Sequence, residues 1–483
     1  MADSVRDLKS TLASLPPVGS KDLRGKTETA IRSGSLKVPL LVVLDDDPTG
    51  TQTCHDIIIL TAWDTQRLIE EFRATPAGSG FFILTNSRAL HPPQARALIT
   101  EICQNLQAAS KETGIDFEVV LRSDSTLRGH FPLEAEAAEA VLGKADAIIL
   151  CPFFLQGGRY TIDDVHYVQE GDRLLPAAQT PFAKDATFGY QSSNLRDYVV
   201  EKGKGTIQKD DVTSISLETI RVGGTDAVLK QLLEATRGKP SRKPVIVLNA
   251  AAEEDMDVAI EALLKASSSG KRFLFRTGAA FVSARLAIEG IPPISAATLG
   301  LSGKVGGLVI AGSYVPKTTA QLESLRNRSG DKLTSVVLEV RNLLESPENA
   351  TKAVSDALKI AEAEIAKGQD VLVMTSRELI VGTDEAKSLD IGSVVAKTLV
   401  SFLERLEQKP RYVIAKGGIT SSDMATKGLR FKRAAIVGQA APGVPLWRCD
   451  EPSAKWPGLP YVVFPGNVGT NDTLFEVVNG WRV

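Results

Sequence analysis

Short apolar runs in the first half of the chain alternate with longer amphipathic stretches. Residues 38–44, 80–85 and 117–121 are apolar runs of strand length, and polar residues follow each of them. Residues 93–113 repeat apolar side chains at helical spacing, which predicts a helix. Alternating strands and helices favour a parallel sheet that is covered on both faces. The first half is therefore predicted to be an α/β domain.

The second half repeats this alternation. Strands are predicted at 307–311, 336–340, 371–374, 412–415 and 461–464, and helices from about residue 317, at 347–367, at 394–406 and at the C-terminus. Residues 290–303 are rich in proline, glycine and serine, which is typical of a domain boundary. We predict two α/β domains, each a mainly parallel sheet flanked by helices, with the active site in the cleft between them. The predicted divisions are an N-terminal extension at 1–37, a domain at 38–290 and a domain at 304–483.

Composition and charge narrow the function classes. The 483-residue chain is 43% hydrophobic and has a formal net charge of -2, so no bulk positive field recruits nucleic acid or an anionic membrane. Its four cysteines are far apart, which favours a reducing compartment over disulfides or a zinc site. No apolar run approaches the ~20 residues of a membrane span, and no secretory signal is recognisable. We expect a cytoplasmic protein.

The apolar run at 38–44 ends in three consecutive carboxylates, Asp45, Asp46 and Asp47, followed by the turn Pro48-Thr49-Gly50-Thr51. Open α/β sheets bind ligands at the carboxyl ends of their strands. Three adjacent acids are electrostatically costly, so cations, hydrogen-bond donors or a metal should offset them. A solvated acidic turn is the alternative.

Two further strand ends in this half supply polar groups. Asn86 follows the second apolar run, and the third ends in the stretch RSDSTLRGH, which contains Arg122, Asp124, Ser125, Arg128 and Gly129. Guanidinium groups present a planar fork that matches a carboxylate or phosphate. Such a site would bind a small molecule that is anionic at one end and hydroxylated elsewhere. Alternatively, Arg122 or Arg128 neutralises Asp45 or Asp46, and the two roles are compatible.

Glycine-rich loops follow predicted strands in the second half. They are Gly312-Ser313, the stretch Gly417-Gly418-Ile419-Thr420, and a loop containing Gly466, Asn467 and Gly469. Glycines at such positions allow backbone N–H groups to approach phosphate oxygens closely. Neither the Walker loop nor the dinucleotide fingerprint is present. Lys416, which precedes Gly417, could reach a phosphate or be exposed.

These two sets of loops suggest that one domain binds a polyhydroxylated acid and the other binds ATP. In phosphoryl transfer the protein mainly positions the reactants and stabilises charge with a divalent metal. Asp46 or Asp47 could accept the proton of the attacking hydroxyl. The same carboxylates could instead hold Mg²⁺, whose ligands the sequence leaves unknown.

Four stretches, LDDDPTGTQT, RSDSTLRGHFPLE, AKGGITSSDMATKGL and PGNVGTNDTL, resemble the signatures of the four-carbon acid sugar kinase family. The resemblance runs from about residue 38 to the C-terminus. It implies sugar-acid binding through Asp45, Thr49, Gly50 and the loop from Arg122 to Gly129. It implies ATP binding through Ser313, residues 417–420 and residues 466–469. Many members carry a glutamate where this chain has Ile419, so that residue's role does not carry over.

The expected function is therefore ATP-dependent phosphorylation of the terminal hydroxyl of threonate, erythronate or 3-oxo-tetronate, with Mg²⁺ as a cofactor. A homodimer is a possible oligomeric state. The spacing of Asp45 and Asp47 also fits a haloacid-dehalogenase-like phosphatase, in which the first aspartate is a nucleophile. That class leaves the glycine-rich second half unexplained. A non-catalytic metabolite- or nucleotide-binding protein is a third alternative.

Overall fold

The computed structural model describes residues 4–19, 22–237, 244–312, 315–377 and 385–482. The chain forms two compact units: one comprises Met1–Cys54 and Ala62–Gly290, and the other comprises His55–Thr61 and Ile291–Val483. Each unit contains a sheet flanked by helices, which confirms the predicted α/β class. The short segment His55–Thr61 belongs to the second unit, although it falls within the stretch 38–290 that the sequence groups together.

The strands and helices are numbered in chain order. The strands are β1 Arg6–Asp7, β2 Leu40–Asp45, β3 Ile57–Leu60, β4 Gly80–Leu84, β5 Phe117–Arg122, β6 Ala147–Cys151, β7 Arg159–Ile162, β8 Val165–Glu170, β9 Arg173–Pro176, β10 Val212–Ile215, β11 Val245–Leu248, β12 Phe273–Thr277, β13 Leu308–Ala311, β14 Leu333–Leu338, β15 Asp370–Thr375, β16 Val413–Lys416, β17 Arg433–Ala441, β18 Val444–Arg448 and β19 Pro460–Phe464. The α-helices are α1 Leu8–Ser14, α2 Leu23–Arg32, α3 Thr65–Ala74, α4 Pro92–Thr113, α5 Leu133–Leu142, α6 Leu195–Gly203, α7 Gly224–Ala235, α8 Glu253–Ser268, α9 Ala279–Arg285, α10 Pro316–Ser329, α11 Val340–Glu345, α12 Pro347–Ala366, α13 Glu385–Arg405, α14 Gly418–Asp423 and α15 Thr473–Gly480.

The first unit is built on a parallel sheet with the strand order β10-β11-β6-β12-β5-β2-β4. The interior strand β2 is buried along its whole length, as expected for a parallel strand that is covered on both faces. In a parallel sheet all strands end at the same edge. The polar residues that follow β2, β4 and β5 therefore meet at that edge.

A small antiparallel sheet, with the order β1-β9-β8-β7, completes the first unit. Two of its strands, β8 and β9, lie in residues 162–240, a polar stretch that sequence patterns leave unassigned. The N-terminal extension contributes β1, and α2 is attached to α8 by an ion pair of 2.7 Å between Arg24 and Asp257. The extension therefore packs on this unit.

The second unit has a mixed sheet with the order β3-β17-β18-β19-β16-β13-β15-β14. Strands β19, β16, β13, β15 and β14 are parallel, whereas β17 pairs antiparallel with both β3 and β18. The strand predicted at 336–340 lies instead at Leu333–Leu338, because β14 is at the sheet edge and alternates exposed with buried residues. Among the described residues, no helix has both the length and the apolar character needed to cross a membrane.

Candidate active site

The acidic turn is anchored to the edge of the first sheet by its backbone. The Asp45 carbonyl accepts a 2.9 Å hydrogen bond from the Thr85 N–H group, and the Asp46 N–H group donates to the Arg122 carbonyl over 3.2 Å. The turn closes tightly, since a Cβ atom on Gly50 would lie 2.0 Å from the Asp45 carboxylate oxygens. The turn therefore has a fixed position relative to the ends of β4 and β5.

Asp45 and Asp46 share one guanidinium group. The Arg122 Nη1 atom lies 3.3 Å from Asp45 Oδ1 and 4.0 Å from Asp46 Oδ1, and all three side chains are buried. Burial outweighs Arg122 and raises the pKa of Asp45 to about 8. Burial likewise raises the pKa of Asp46, against the opposing effects of Arg88 and Arg122. The neutralising role considered for Arg122 is therefore present in the structure.

Three buried carboxylate oxygens in this cluster have no hydrogen-bond partner among the described residues: Asp45 Oδ2 and both Asp46 oxygens. Buried acceptors are rarely left without a partner. They are therefore available to a ligand hydroxyl group or to a cation. This makes Asp46 the most available acceptor of the triplet.

Asp47 is held in a different way from its two neighbours. It accepts hydrogen bonds from the backbone and side chain of Thr49 and forms an ion pair with Arg88. Burial of Asp47 opposes ionisation, but Arg88 and Thr49 hold its pKa below the usual value. Arg88 also lies 3.6 Å from Asp124. No role for Arg88 is predicted from the sequence, although this residue directly follows Asn86 and Ser87 at a strand end.

Arg128 pairs with Asp124 rather than with the acidic triplet. Its Nε atom lies 2.6 Å from Asp124 Oδ2, and its Nη1 atom lies 3.8 Å from Asp185. Burial of Asp124 opposes ionisation, but Arg88 and Arg128 lower its pKa well below the usual value. Asp124 therefore remains a carboxylate that orients two arginines.

The loop that follows β5 is fixed by buried side chains that hydrogen-bond its carbonyl groups. His166 Nε2 lies 2.7 Å from the Ser125 carbonyl oxygen. The hydroxyl groups of Tyr190 and Tyr198 donate to the carbonyls of Thr126 and Leu127 over 2.8 and 2.7 Å, respectively. The Arg276 guanidinium group donates to the carbonyls of Leu127 and Arg128. Burial lowers the pKa of His166 to about 4, so this imidazole is neutral and its Nε2–H group is the donor. Most of these residues come from the stretch that sequence patterns leave unassigned.

The remaining predicted residues of this unit lie in the same region. Asn86 has a left-handed backbone conformation and donates its N–H group to the Asp45 carbonyl over 3.3 Å. A Cβ atom on Gly129 would lie 3.2 Å from Asp46 Oδ2, so the loop backbone passes close to the acidic turn. Glu134 is also buried in this region, although the sequence does not predict it as a site residue, and burial and Asp46 raise its pKa to about 7.

In the second unit, a cavity of about 300 Å³ lies beside the end of β16. It is lined by Gly312 and by Gly417, Gly418, Ile419 and Thr420, all of which the sequence singles out. Its apolar wall contains Val395, Ala396, Leu399 and Met424. The Ile419 side chain is 64% exposed at this cavity. Ser313 lies outside the described residues.

Lys416 is fully buried, so the alternative of an exposed lysine is wrong. Its ammonium group donates a hydrogen bond to the Pro465 carbonyl and lies 4.3 Å from the centre of the Phe464 ring. Burial, with a smaller effect of Lys317, lowers its pKa to about 7. Lys416 therefore joins the start of the Gly417 loop to the loop that follows β19.

The loop containing Gly466, Asn467 and Gly469 is held by α10. Thr318 donates to the Gly466 carbonyl over 3.3 Å, and Gln321 donates to the carbonyls of Val468 and Thr470. Asn467 and Gly469 are exposed. This loop adjoins Lys416, but it is not among the residues that line the 300 Å³ cavity.

These features define a class: a two-unit α/β protein with a buried acid–arginine cluster in one unit and a glycine-lined cavity in the other. Residues 41–285 match the model of a sugar-binding N-terminal domain, and residues 308–474 match that of a nucleotide-binding C-terminal domain. The chain belongs to the four-carbon acid sugar kinase family, as its motifs predict, and it is a sugar-acid kinase.

Relatives with an assigned activity cover much of the chain. A D-threonate kinase of Bordetella bronchiseptica is 23% identical over 453 residues, or 92% of this chain and 98% of that enzyme. A D-threonate kinase of Cupriavidus necator is 26% identical and covers 87% of this chain and 92% of its own length. A D-erythronate kinase of Heliobacterium modesticaldum is 26% identical over 315 residues, which is 64% of this chain and 65% of that enzyme.

Two solved structures share the fold at low sequence identity. A Haemophilus influenzae protein superimposes with a TM-score of 0.60 at 18% identity and covers 92% of this chain and all of its own. A Salmonella typhimurium protein gives a TM-score of 0.66 at 17% identity and covers 90% of this chain and 98% of its own. At such identities the likeness describes the fold alone.

Proposed function

We propose that this chain is an ATP-dependent kinase that phosphorylates the terminal hydroxyl group of a four-carbon sugar acid, namely threonate, erythronate or 3-oxo-tetronate. The family match and the kinases related to the chain support this proposal. The observation that carries it is the Asp46 carboxylate, which is buried beside Arg122 with both oxygens lacking a partner among the described residues. An acceptor of this kind suits a hydroxyl group that must lose a proton.

Asp46 is the proton acceptor in this proposal. As the hydroxyl oxygen attacks the γ-phosphorus of ATP, its proton passes to an Asp46 oxygen, and the bond from this phosphorus to the bridging oxygen breaks and releases ADP. Asp47 is a poorer acceptor, because Arg88 and Thr49 already occupy its oxygens. Its role is to hold Arg88, which also faces Asp124.

The second unit is the proposed nucleotide site. A cavity of about 300 Å³ is at the lower end of the range for ligand pockets, so it suits one part of ATP rather than the whole molecule. Its apolar wall suits the nucleoside, and the N–H group of Gly418 suits a phosphate oxygen, whereas the Gly417 N–H group donates to the Phe464 carbonyl over 2.8 Å. Ser313 and the loop at 466–469 are proposed to complete the phosphate contacts.

Mg²⁺ is the proposed metal cofactor. Among the described residues, no cluster of three histidine, cysteine, aspartate or glutamate side chains has the arrangement of a metal site. Asp45 Oδ2 and the Asp46 oxygen that does not accept the proton would nevertheless be hard ligands that fit Mg²⁺, which commonly binds one or two carboxylates together with substrate phosphates. The bound ion would neutralise charge on the transferred phosphoryl group.

The phosphatase alternative is disfavoured by the surroundings of Asp45. A nucleophilic carboxylate must reach phosphorus. Asp45 is instead fully buried, paired with Arg122 and packed against Gly50. We therefore do not favour Asp45 as a nucleophile.

The direct test is an activity screen of the purified full-length chain. The D- and L-forms of threonate and erythronate and the 3-oxo-tetronates are each incubated with ATP and Mg²⁺, and ADP formation and the phosphorylated product are measured. We expect ADP formation only when a sugar acid is present, and its loss in Asp46→Asn. Phosphate release from phosphorylated substrates without ATP would favour the phosphatase, and binding without turnover would favour a non-catalytic protein.

A cytoplasmic location and a homodimer stay predictions. Light scattering of the purified chain measures its oligomeric state, and cell fractionation measures its location.

A further inference from the structure

Arg159 is an arginine of the first unit to which no role has been assigned. It begins β7 in the small antiparallel sheet, where its backbone pairs with Phe154 and Val168. Its side chain donates one hydrogen bond, to the Gly157 carbonyl, and its guanidinium carbon lies 5.8 Å from the centre of the Phe182 ring. Its Nε atom is buried and has no hydrogen-bond partner among the described residues.

Arg159 differs from Arg88, Arg122 and Arg128 because it has no ion pair with a described residue. Arg88, Arg122 and Arg128 each lie within 4.0 Å of at least one carboxylate. Within the described part of the chain, no carboxylate lies that close to Arg159. Burial lowers the pKa of Arg159, with Asp124 opposing this shift and Arg128 reinforcing it. A partly buried cation that is compensated only by the more distant charge of Asp124 is costly, and an incoming anion would lower that cost.

The surroundings of Arg159 connect it to the acidic turn. Arg128 also lies over the Phe182 ring, at 5.2 Å, so both guanidinium groups pack against the same aromatic side chain. Arg128 is already paired with Asp124. The next residue, Gly129, lies close to Asp46, since a Cβ atom added to Gly129 would be 3.2 Å from Asp46 Oδ2. The unpaired guanidinium and the free carboxylate of Asp46 therefore lie in the same region of the first unit.

We propose that Arg159 binds the carboxylate group of the sugar acid and thereby selects acids over neutral polyols. This inference rests on the proposed kinase function and adds to it the residue that recognises the anionic end of the substrate. The planar donor fork of arginine matches a carboxylate in two parallel hydrogen bonds. The hydroxylated end of the substrate is then left for the acidic turn, where a proton must be removed.

The test compares each sugar acid with its primary amide, which keeps the hydroxyl groups but has no charge. Arg159→Gln should lower kcat/KM for the acid by roughly 30-fold or more, with little change for the amide or in KM for ATP. Arg159→Lys should keep the preference for the acid but bind it more weakly, because lysine lacks the fork. Arg173→Gln is the matched control, since Arg173 is exposed in the same small sheet.

A purely structural role would lower kcat/KM for acid and amide alike, and an unchanged acid-to-amide ratio in an active, folded Arg159→Gln would overturn the inference. If Arg159→Gln does not fold, as judged by circular dichroism, Arg159→Lys decides, and wild-type affinity in that variant counts against the inference. If the wild-type chain phosphorylates no sugar acid, the proposed function fails. Calorimetric binding of D-threonate and its amide to wild type and variants then tests Arg159 separately, and equal affinities in all of them overturn the inference.

Discussion

The Arg122 guanidinium group lies 3.3 Å from the Asp45 carboxylate, and both side chains are buried at the edge of the first sheet. The same guanidinium lies 4.0 Å from Asp46. One cation thus faces two carboxylates, and burial raises the pKa of both. Retaining a proton in the folded state offsets this excess of negative charge.

The first prediction concerns stability and pH. The pKa of Asp45 rises from its usual 3.8 to about 8 in the folded chain, so folding retains a proton over this interval. The stabilisation is fully present below about pH 4 and is lost as the pH rises through about 8. We expect the wild-type Tm to fall more steeply than that of Asp45→Asn between about pH 5 and about pH 8. Thermal unfolding at a series of pH values measures this, and parallel curves would contradict it.

The second prediction separates the two candidate catalytic aspartates. Asp46→Asn should lower kcat by about 10² to 10⁴, with little change in KM for ATP, because it removes the proposed proton acceptor. Asp47→Asn should also lower turnover more than ATP affinity, but chiefly through Arg88, which loses an ion-pair partner. Steady-state kinetics with ATP and the sugar acid varied in turn measure both effects.

The pH profile distinguishes the two variants. Wild type and Asp47→Asn should both lose kcat as the pH falls, because Asp46 must be unprotonated to accept a proton. Asp46→Asn should lack this acid limb. Retention of the limb in Asp46→Asn would transfer the role of base to another group, such as Glu134, whose pKa is raised to about 7.

The third prediction concerns the space inside the acidic turn. Gly50→Ala places a methyl group 2.0 Å from the Asp45 carboxylate oxygens, which is not sterically possible without displacing the turn. We expect destabilisation of about 1–3 kcal/mol and loss of sugar-acid turnover, with nucleotide affinity retained. Gly290→Ala, at a position with no neighbour within 4 Å, is the control. Wild-type kinetics in Gly50→Ala would argue against a role for the turn.

The parts of the site that follow apolar strands could be predicted from the sequence. A buried strand such as β2 has an unbroken apolar pattern, and its carboxyl end must lie at the edge of a parallel sheet. Asp46 and Arg122 could therefore be assigned to one region without coordinates. The same reasoning applies to Gly417, which follows β16.

Other parts depend on contacts between residues that are distant in the sequence. His166 and Tyr198 support the loop after β5 by hydrogen bonds that no local pattern encodes. The strands β17 and β18 were also missed, because β17 contains four alanines and a glycine but only two β-branched residues, Ile436 and Val437. Burial of Lys416 could not be predicted, since lysine is rarely fully buried.

The fourth prediction concerns the nucleotide loop. Gly417 has a φ of 111°, which side-chain-bearing residues rarely adopt, so Gly417→Ala should strain the loop by about 1–3 kcal/mol. We expect KM for ATP to rise roughly tenfold or more, with KM for the sugar acid unchanged. Gly330→Ala is the control for backbone strain alone, because Gly330 also has a positive φ and an added Cβ atom there would have no other atom within 4 Å. Equal KM values for ATP in Gly417→Ala and wild type would contradict the assignment of this loop.

The fifth prediction uses the buried ammonium group of Lys416. Its pKa is lowered to about 7, so the group is charged below this pH and neutral above it. If the charge assists phosphate binding, wild-type affinity for ATP should weaken as the pH rises from about 6 to about 8. Lys416→Met should bind ATP more weakly at the lower pH and show a smaller change across the range.

Calorimetric titration with ATP at each pH measures this difference, because the ionisation of ATP itself is common to both proteins. Lys332→Met, at an exposed position of the same unit, should match wild type. The free energy of unfolding provides an independent check. The unfolded chain keeps the Lys416 proton up to the usual pKa of 10.5, whereas the folded chain loses it at about 7, so this group should stabilise the wild-type fold increasingly as the pH rises between these values. Lys416→Met should lack this increase. If the stability effect appears without the affinity effect, Lys416 only joins the two loops and does not contribute its charge to nucleotide binding.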